Sequence, residues 1–333
     1  MNPMSLQAPA PRLAGPAIVP ASPRPRDAAP VHATFLGALH DELARALDGA
    51  DRRAVALTLA TDAKRVRPLL LFELATALGV SAEHTPLVRA AAAVELIHTA
   101  SLIHDDVVDV AAVRRGLPSV NSELGNAAAV LVGDEMLCRA LELVGPALIT
   151  PCLRAVAEMT HGALVEIGAY GDVTVDDARW REIAAGKTGA LFGLCGTLAA
   201  LLAGSPERAE RYREATRDLG VAFQAADDLA DLASGGDLEE KNPNLAVLAA
   251  VRSNAPLRER LLSAWARQRT LKDERDALSR EVIAAGGAKA AEAMARQALE
   301  QARAHFGDDA TLPGVCKALA AGEGFLAAAR AAL

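Results

Sequence analysis

Aromatic residues are scarce in this chain, at 3% of 333 residues, and the apolar 51% is carried mostly by Ala, Leu and Val. Poverty in aromatic and β-branched side chains argues against an all-β fold, whereas abundant Ala, Leu, Arg and Glu favour helix. Cysteine is sparse as well. Cys138, Cys152, Cys195 and Cys316 lie far apart with no CxxC pair, which gives no zinc or disulfide signature and suits a reducing, cytoplasmic compartment. Basic charge is not in excess: the formal net charge is −7, and no basic stripe invites nucleic acid. Long apolar runs are missing too. The longest uncharged stretch, residues 188–204, is short for a bilayer span and carries Gly193, Gly196 and Thr197. It reads as a buried core helix, so no transmembrane segment is expected. Prolines interrupt every candidate secretory segment near the start.

What remains is helical pattern. Residues 1–33 are rich in Pro and Ala, and the expectation there is a disordered tail. From residue 34 to 333 apolar residues recur at three- and four-residue spacing, as in "VRAAAAVELIHTASLIHDDVVDVA" and "REATRDLGVAFQAADDLADLA". Gly and Pro fall mainly between such blocks. The expectation is one all-helical domain of about ten to twelve helices.

Two of the apolar helices carry acidic clusters. Asp105 and Asp109 are one turn apart with Asp106 beside them, and His98 lies two turns earlier on the same stripe. Gln224, Asp227, Asp228 and Asp231 repeat the DDxxD spacing on a second helix. Carboxylates crowded on one face repel, so something positive must compensate them. Mg²⁺ fits, because it takes oxygen ligands and bridges one or two carboxylates to substrate phosphates. A lone DDxxD is most often a solvated helix face. Two copies, each in an apolar helix, weigh against that, as do isolated basic residues: Lys64, Arg65 and Arg67, Arg114 and Arg115, and Lys187 with Thr188. Together they suit a polyanion gripped by metal on one side and by Arg and Lys on the other. Taken singly, Arg65 reads as a surface charge and His104 as a satisfied core histidine.

Five motifs, in order, resemble those of the trans-isoprenyl (polyprenyl) diphosphate synthase family: "KRVRP", "HTASLIHDDVVDVAAVRRGLPSVN", "VGDEMLCRAL", "GKTGALF" and "AFQAADDLADL". The resemblance implies the isoprenoid synthase fold, with a central cavity between two facing DDxxD clusters, usually in a homodimer. It implies a Mg²⁺-dependent prenyltransferase that condenses an allylic diphosphate head to tail with isopentenyl diphosphate. Asp105, Asp106, Asp109, Asp227, Asp228 and Asp231 would hold three Mg²⁺ ions. The aspartates of the two DD pairs, Asp109 and Lys187 would form the catalytic set. Arg114, Lys187, Thr188 and Gln224 would contact the allylic diphosphate, and Lys64, Arg67, His98 and Arg115 the isopentenyl diphosphate.

The chain also departs from the family. Asp62 and Ala63 replace a glycine pair, Glu135 a tyrosine, and Ala163 and Glu166 the Glu and Gln of GExxQ. After the second acidic cluster a shortened segment offers one lysine, Lys241. It matches either of two family lysines, with the DLEEK context favouring the second, and it is assigned to substrate. Small residues at Ala100 and Ser101 lead to an expected product of C20 or longer, with the larger Val94 and Ile97 deeper as the side chains that could cap growth. A class I terpene cyclase and a regulatory subunit of a heteromeric synthase are the alternatives. The basic set and low aromatic content weigh against the first, and the retained aspartates against the second.

Overall fold

The computed structural model describes residues 30–58, 64–114, 116–267 and 272–333. The expected tail therefore lies outside the described residues up to residue 29, and helix begins at Pro30. The α-helices are α1 (Pro30–Ala46), α2 (Arg52–Thr58), α3 (Val66–Ala77), α4 (Thr85–Val108), α5 (Val120–Leu124), α6 (Asn126–Leu143), α7 (Pro146–Ile167), α8 (Asp177–Ala184), α9 (Ala190–Leu202), α10 (Ala209–Ser234), α11 (Gly236–Glu240), α12 (Leu245–Ser253), α13 (Ala255–Trp265), α14 (Lys272–Ala284), α15 (Gly287–Phe306) and α16 (Pro313–Ala332). A π-helical turn, Ala185–Gly189, joins α8 to α9. The only ladder among the described residues pairs β1 (Val113–Arg114) with β2 (Leu117–Pro118) around Gly116 at φ +79°.

The all-helical expectation holds, but the described residues form sixteen helices rather than ten to twelve. The excess comes from pieces such as α2, α5 and α11, five to seven residues long. Segments that short show no helical period in sequence.

Helix α10 is central, packed on α9, α15 and α16, while α4 packs on α6, α3 and α1. Both are buried on most sides, which explains why apolar residues nearly encircle α4. Residues 85–108 and 177–202 are long and apolar enough to cross a membrane, yet 72% and 78% of their apolar windows are buried inside the protein, which makes them core helices.

The ends of α4 and α10 place the site. Asp105 and Asp106 stand in the last turn of α4, with Asp109 as its C-cap. Asp227, Asp228 and Asp231 occupy the final two turns of α10, which stops where Gly235 turns left-handed at φ +71°. Both clusters therefore sit at the negative end of a helix dipole, where carboxylates are disfavoured. The fold supplies positive charge there from other elements.

Candidate active site

A cavity of about 690 Å³ opens between the ends of α4 and α10. Asp105 and Asp227 both border it, so each acidic cluster contributes one carboxylate to the same space. Gln224 joins from α10, Lys187 and Thr188 from the π turn, His98 from α4, Arg114 from β1, and Lys64 and Arg67 from the start of α3. The rest of the wall is largely apolar and includes Ile97, Leu137, Val156, Met159 and Phe223.

Glycine contacts hold the π turn in place. Gly186 lies so close to Gly162 of α7 that a methyl at Gly186 would sit 2.8 Å from the Gly162 Cα. On the other side a methyl at Gly220 of α10 would sit 2.7 Å from the Gly189 Cα. Backbones can approach this closely only without Cβ atoms. One turn beyond each contact a polar pair forms. Glu166 follows Gly162 by four residues and pairs with the Lys187 ammonium. Gln224 follows Gly220 by four and accepts the Thr188 hydroxyl at 2.7 Å. A π turn exposes backbone and side chains that a regular helix would stack, and such turns recur at functional sites.

The cavity is electrostatically mixed. Burial pushes the Asp105 carboxyl above the usual range, against the pull of Lys187, with Asp109 adding repulsion. Burial likewise raises Asp227, with Asp231 adding to it and Arg67, Lys64 and Lys187 opposing. Burial alone would lower Lys187, but the carboxylates of Glu166 and Asp105 outweigh it and hold the ammonium charged. Lys187 is thus the cation that both acidic clusters feel.

Other singled-out residues do not border the cavity. Asp106 is buried and accepts both Arg114 Nε and Arg114 Nη2, at 2.7 and 2.6 Å. Asp109 is exposed and accepts the Tyr170 hydroxyl at 3.2 Å. Asp228 is buried and fully occupied, accepting Trp180 Nε1 at 2.9 Å, Gln224 Nε2 at 2.9 Å and the Leu245 N–H at 2.7 Å. Asp231 caps the start of α11 through the N–H groups of Gly236 and Asp237. Lys241 donates to the Trp265 carbonyl at 2.6 Å and is turned away from the cavity. Arg115, Asp62 and Ala63 lie outside the described residues.

Several residues carry more than sequence reasoning granted them. Arg65 is no free surface charge: at φ +48° it aims its guanidinium at the buried Glu95, and both border the cavity. His104 is no core histidine, since it is half-buried on the cavity wall, with Nε2 3.3 Å from the Val130 carbonyl oxygen. Glu166 was visible only as a departure from a motif; its four-residue spacing from Gly162 was the available signal. On the deep wall, Ser101 and Ile97 line the cavity, while Ala100 and Val94 are fully buried elsewhere.

No group of three or more His, Cys, Asp or Glu among the described residues forms a metal cage. Of the two acidic clusters only Asp105 and Asp227 line the cavity, so a hard cation bound there would need oxygen ligands from water or substrate phosphates as well.

The family model for polyprenyl synthetase matches residues 52–282. Over 203 residues the chain is 37% identical to octaprenyl diphosphate synthase of Haemophilus influenzae, covering 57% of this chain and 61% of that one. Over 238 residues it is 34% identical to an all-trans-nonaprenyl-diphosphate synthase (geranyl-diphosphate specific) of Rhodobacter capsulatus, covering 67% of each. The chain thus spans about two thirds or less of the length of these relatives. A crystal structure of polyprenyl synthase from Caulobacter crescentus CB15, complexed with calcium and isoprenyl diphosphate, superposes with TM-score 0.80 at 26% identity. That match covers 91% of this chain and 99% of the other. The helical architecture is therefore the isoprenoid synthase fold expected from the motifs.

Proposed function

This chain belongs to the polyprenyl synthetase family, and from that membership we propose that it is a Mg²⁺-dependent prenyltransferase extending an allylic diphosphate with isopentenyl diphosphate. One observation carries the reading. Asp105 and Asp227, from the ends of two distant helices, border one largely apolar cavity together with the half-buried cation Lys187. An apolar space with charge concentrated at one end fits a molecule that is lipid at one end and polyanion at the other.

In this reading Asp105, Asp109 and Asp227 hold Mg²⁺ against the allylic diphosphate, with Asp231 at the margin. Held by these residues, Mg²⁺ would supply positive charge to offset that of a diphosphate leaving group. Lys187 and Arg114 donate to the same oxygens, and Thr188 and Gln224 fix their orientation. Lys64, Arg67 and His98 hold isopentenyl diphosphate at the other side of the cavity. The allylic C–O bond breaks with its electron pair leaving on the diphosphate, the isopentenyl alkene forms a new C–C bond to the resulting cation, and a proton passes to the departed diphosphate to restore a double bond. The apolar wall excludes water that would quench the cation. The Caulobacter relative, by its description, takes a divalent ion and an isoprenyl diphosphate together, which supports this assignment.

Ser101 leaves room beneath Asp105, and relatives include synthases named for octaprenyl, nonaprenyl and geranylgeranyl products. The proposed product is accordingly C20 or longer. Leu131, Leu153 and Leu164 are exposed on α6 and α7, and a second copy covering them is the proposed homodimer. The test is incubation of the purified chain with farnesyl diphosphate, isopentenyl diphosphate and Mg²⁺, with products read by mass spectrometry. Elongated prenyl diphosphates of C20 or more are expected. No elongation by the isolated chain would refute the reading and point to a subunit that needs a partner.

A further inference from the structure

Glu166 does not border the cavity, yet its carboxylate holds the Lys187 ammonium, which lines the cavity with Asp105 and Asp227 and acts on both carboxylates. Its side chain is 14% exposed and that of Lys187 30%, so neither charge is well hydrated. The contact is built in from two sides. The close approach of Gly162 to Gly186 fixes α7 against the π turn, and Glu166 lies one turn beyond it. One turn further, Tyr170 donates to Asp109. The end of α7 and the turn that follows it therefore contact both the cation and the first acidic cluster.

We propose that Glu166 is a positioning residue for the diphosphate: it aims the Lys187 ammonium into the cavity and offsets part of its charge, so that a bound diphosphate is held loosely enough to leave. An ammonium has three donors. One stays on Glu166 and two remain for an anion, so Lys187 arrives pre-aimed. The neighbouring carboxylate also opposes every anion that Lys187 attracts. Aim and charge are separable properties of the same side chain. The consequence for turnover rests on the prenyl-transfer reading, whereas the consequence for anion binding does not.

Two variants divide them. Glu166→Gln keeps an acceptor for Lys187 and removes the charge. Glu166→Met removes both at similar length. The probe is inorganic diphosphate with Mg²⁺, titrated calorimetrically into the full chain, alongside kcat and KM for the allylic diphosphate. Both variants are expected to bind diphosphate roughly three- to tenfold more tightly than the parent, a modest figure because Lys187 is partly solvated. Glu166→Gln should lower KM in step and keep kcat within about threefold, while Glu166→Met should lose kcat by roughly tenfold or more as the ammonium loses its aim. A pair that merely staples α7 to the π turn would behave otherwise: both variants would bind diphosphate equally or more weakly. Either variant, folded by circular dichroism, binding no tighter than the parent would overturn the proposal. A parent chain that binds diphosphate but elongates no allylic substrate would instead refute the prenyl-transfer reading alone.

Discussion

Gly162→Ala is a sharp test of how the site is assembled. A methyl there would stand 2.7 Å from the Gly186 carbonyl carbon and closer still to the Lys187 backbone nitrogen. Both neighbours are backbone, so no side-chain rotation relieves the overlap. Helix α7 has to retreat from the π turn by more than half an ångström to reach ordinary contact. Helix propensity alone would make Gly→Ala stabilising by about 1 kcal/mol. Overpacking costs about 1–3 kcal/mol, so the net change is expected to be a loss of roughly 0–2 kcal/mol. Turnover should suffer more, since an ångström-scale misplacement of a positioned group costs roughly a hundredfold. Gly37→Ala in α1 and Gly324→Ala in α16 are controls, because a methyl at either meets nothing within 4 Å. They should gain about 0.5–1 kcal/mol and leave turnover alone. Urea unfolding followed by circular dichroism, together with prenyl-transfer rates, checks all three. A Gly162→Ala protein as stable and active as the controls would refute the close-packing argument.

Asp105→Asn and Asp227→Asn should each cut turnover by orders of magnitude while the helical circular dichroism persists; near-parental rates in both would remove the proposed metal role. Of the four thiols, Cys138 and Cys316 are exposed, whereas Cys152 and Cys195 are buried, with pKa values pushed by burial to about 11 and about 12. A thiol reagent at pH 8 should therefore titrate two groups quickly and the other two only after unfolding. Because the folded Cys195 keeps its proton where an unfolded thiol loses it, the unfolded state binds fewer protons between pH 9 and about 12. Stability should fall as pH rises through that window, and urea midpoints that stay level there would contradict the burial of this thiol.

The sequence made the helical class, the two acidic clusters and the cationic set legible for one reason. A carboxylate or ammonium placed within an apolar helix is conspicuous in one dimension. Azimuth was not legible. Asp105 and Asp106 are adjacent in sequence, yet one borders the cavity and the other is buried against Arg114. That division depends on where α4 meets its neighbours. The pairing of Lys187 with Glu166 depends on two glycines from separate helices touching, a relation no local pattern encodes. Lys241 was drawn toward the site by its motif, but a left-handed backbone at φ +64° carries its ammonium to the Trp265 carbonyl instead. Short helices escaped for the simpler reason that fewer than two turns leave no period to detect.

The saturated carboxylate of Asp228 has a consequence for anyone scanning the second acidic motif. Its oxygens are where an indole from α8, an amide from α10 and the first N–H of α12 converge. Truncating it would strand those three donors in the interior and let three segments drift apart. An inactive Asp228→Ala protein would thus report a collapsed junction as readily as a missing ligand. The informative comparison is with its neighbour Asp227, which anchors no other side chain or backbone group among the described residues and can be blunted without disturbing that junction.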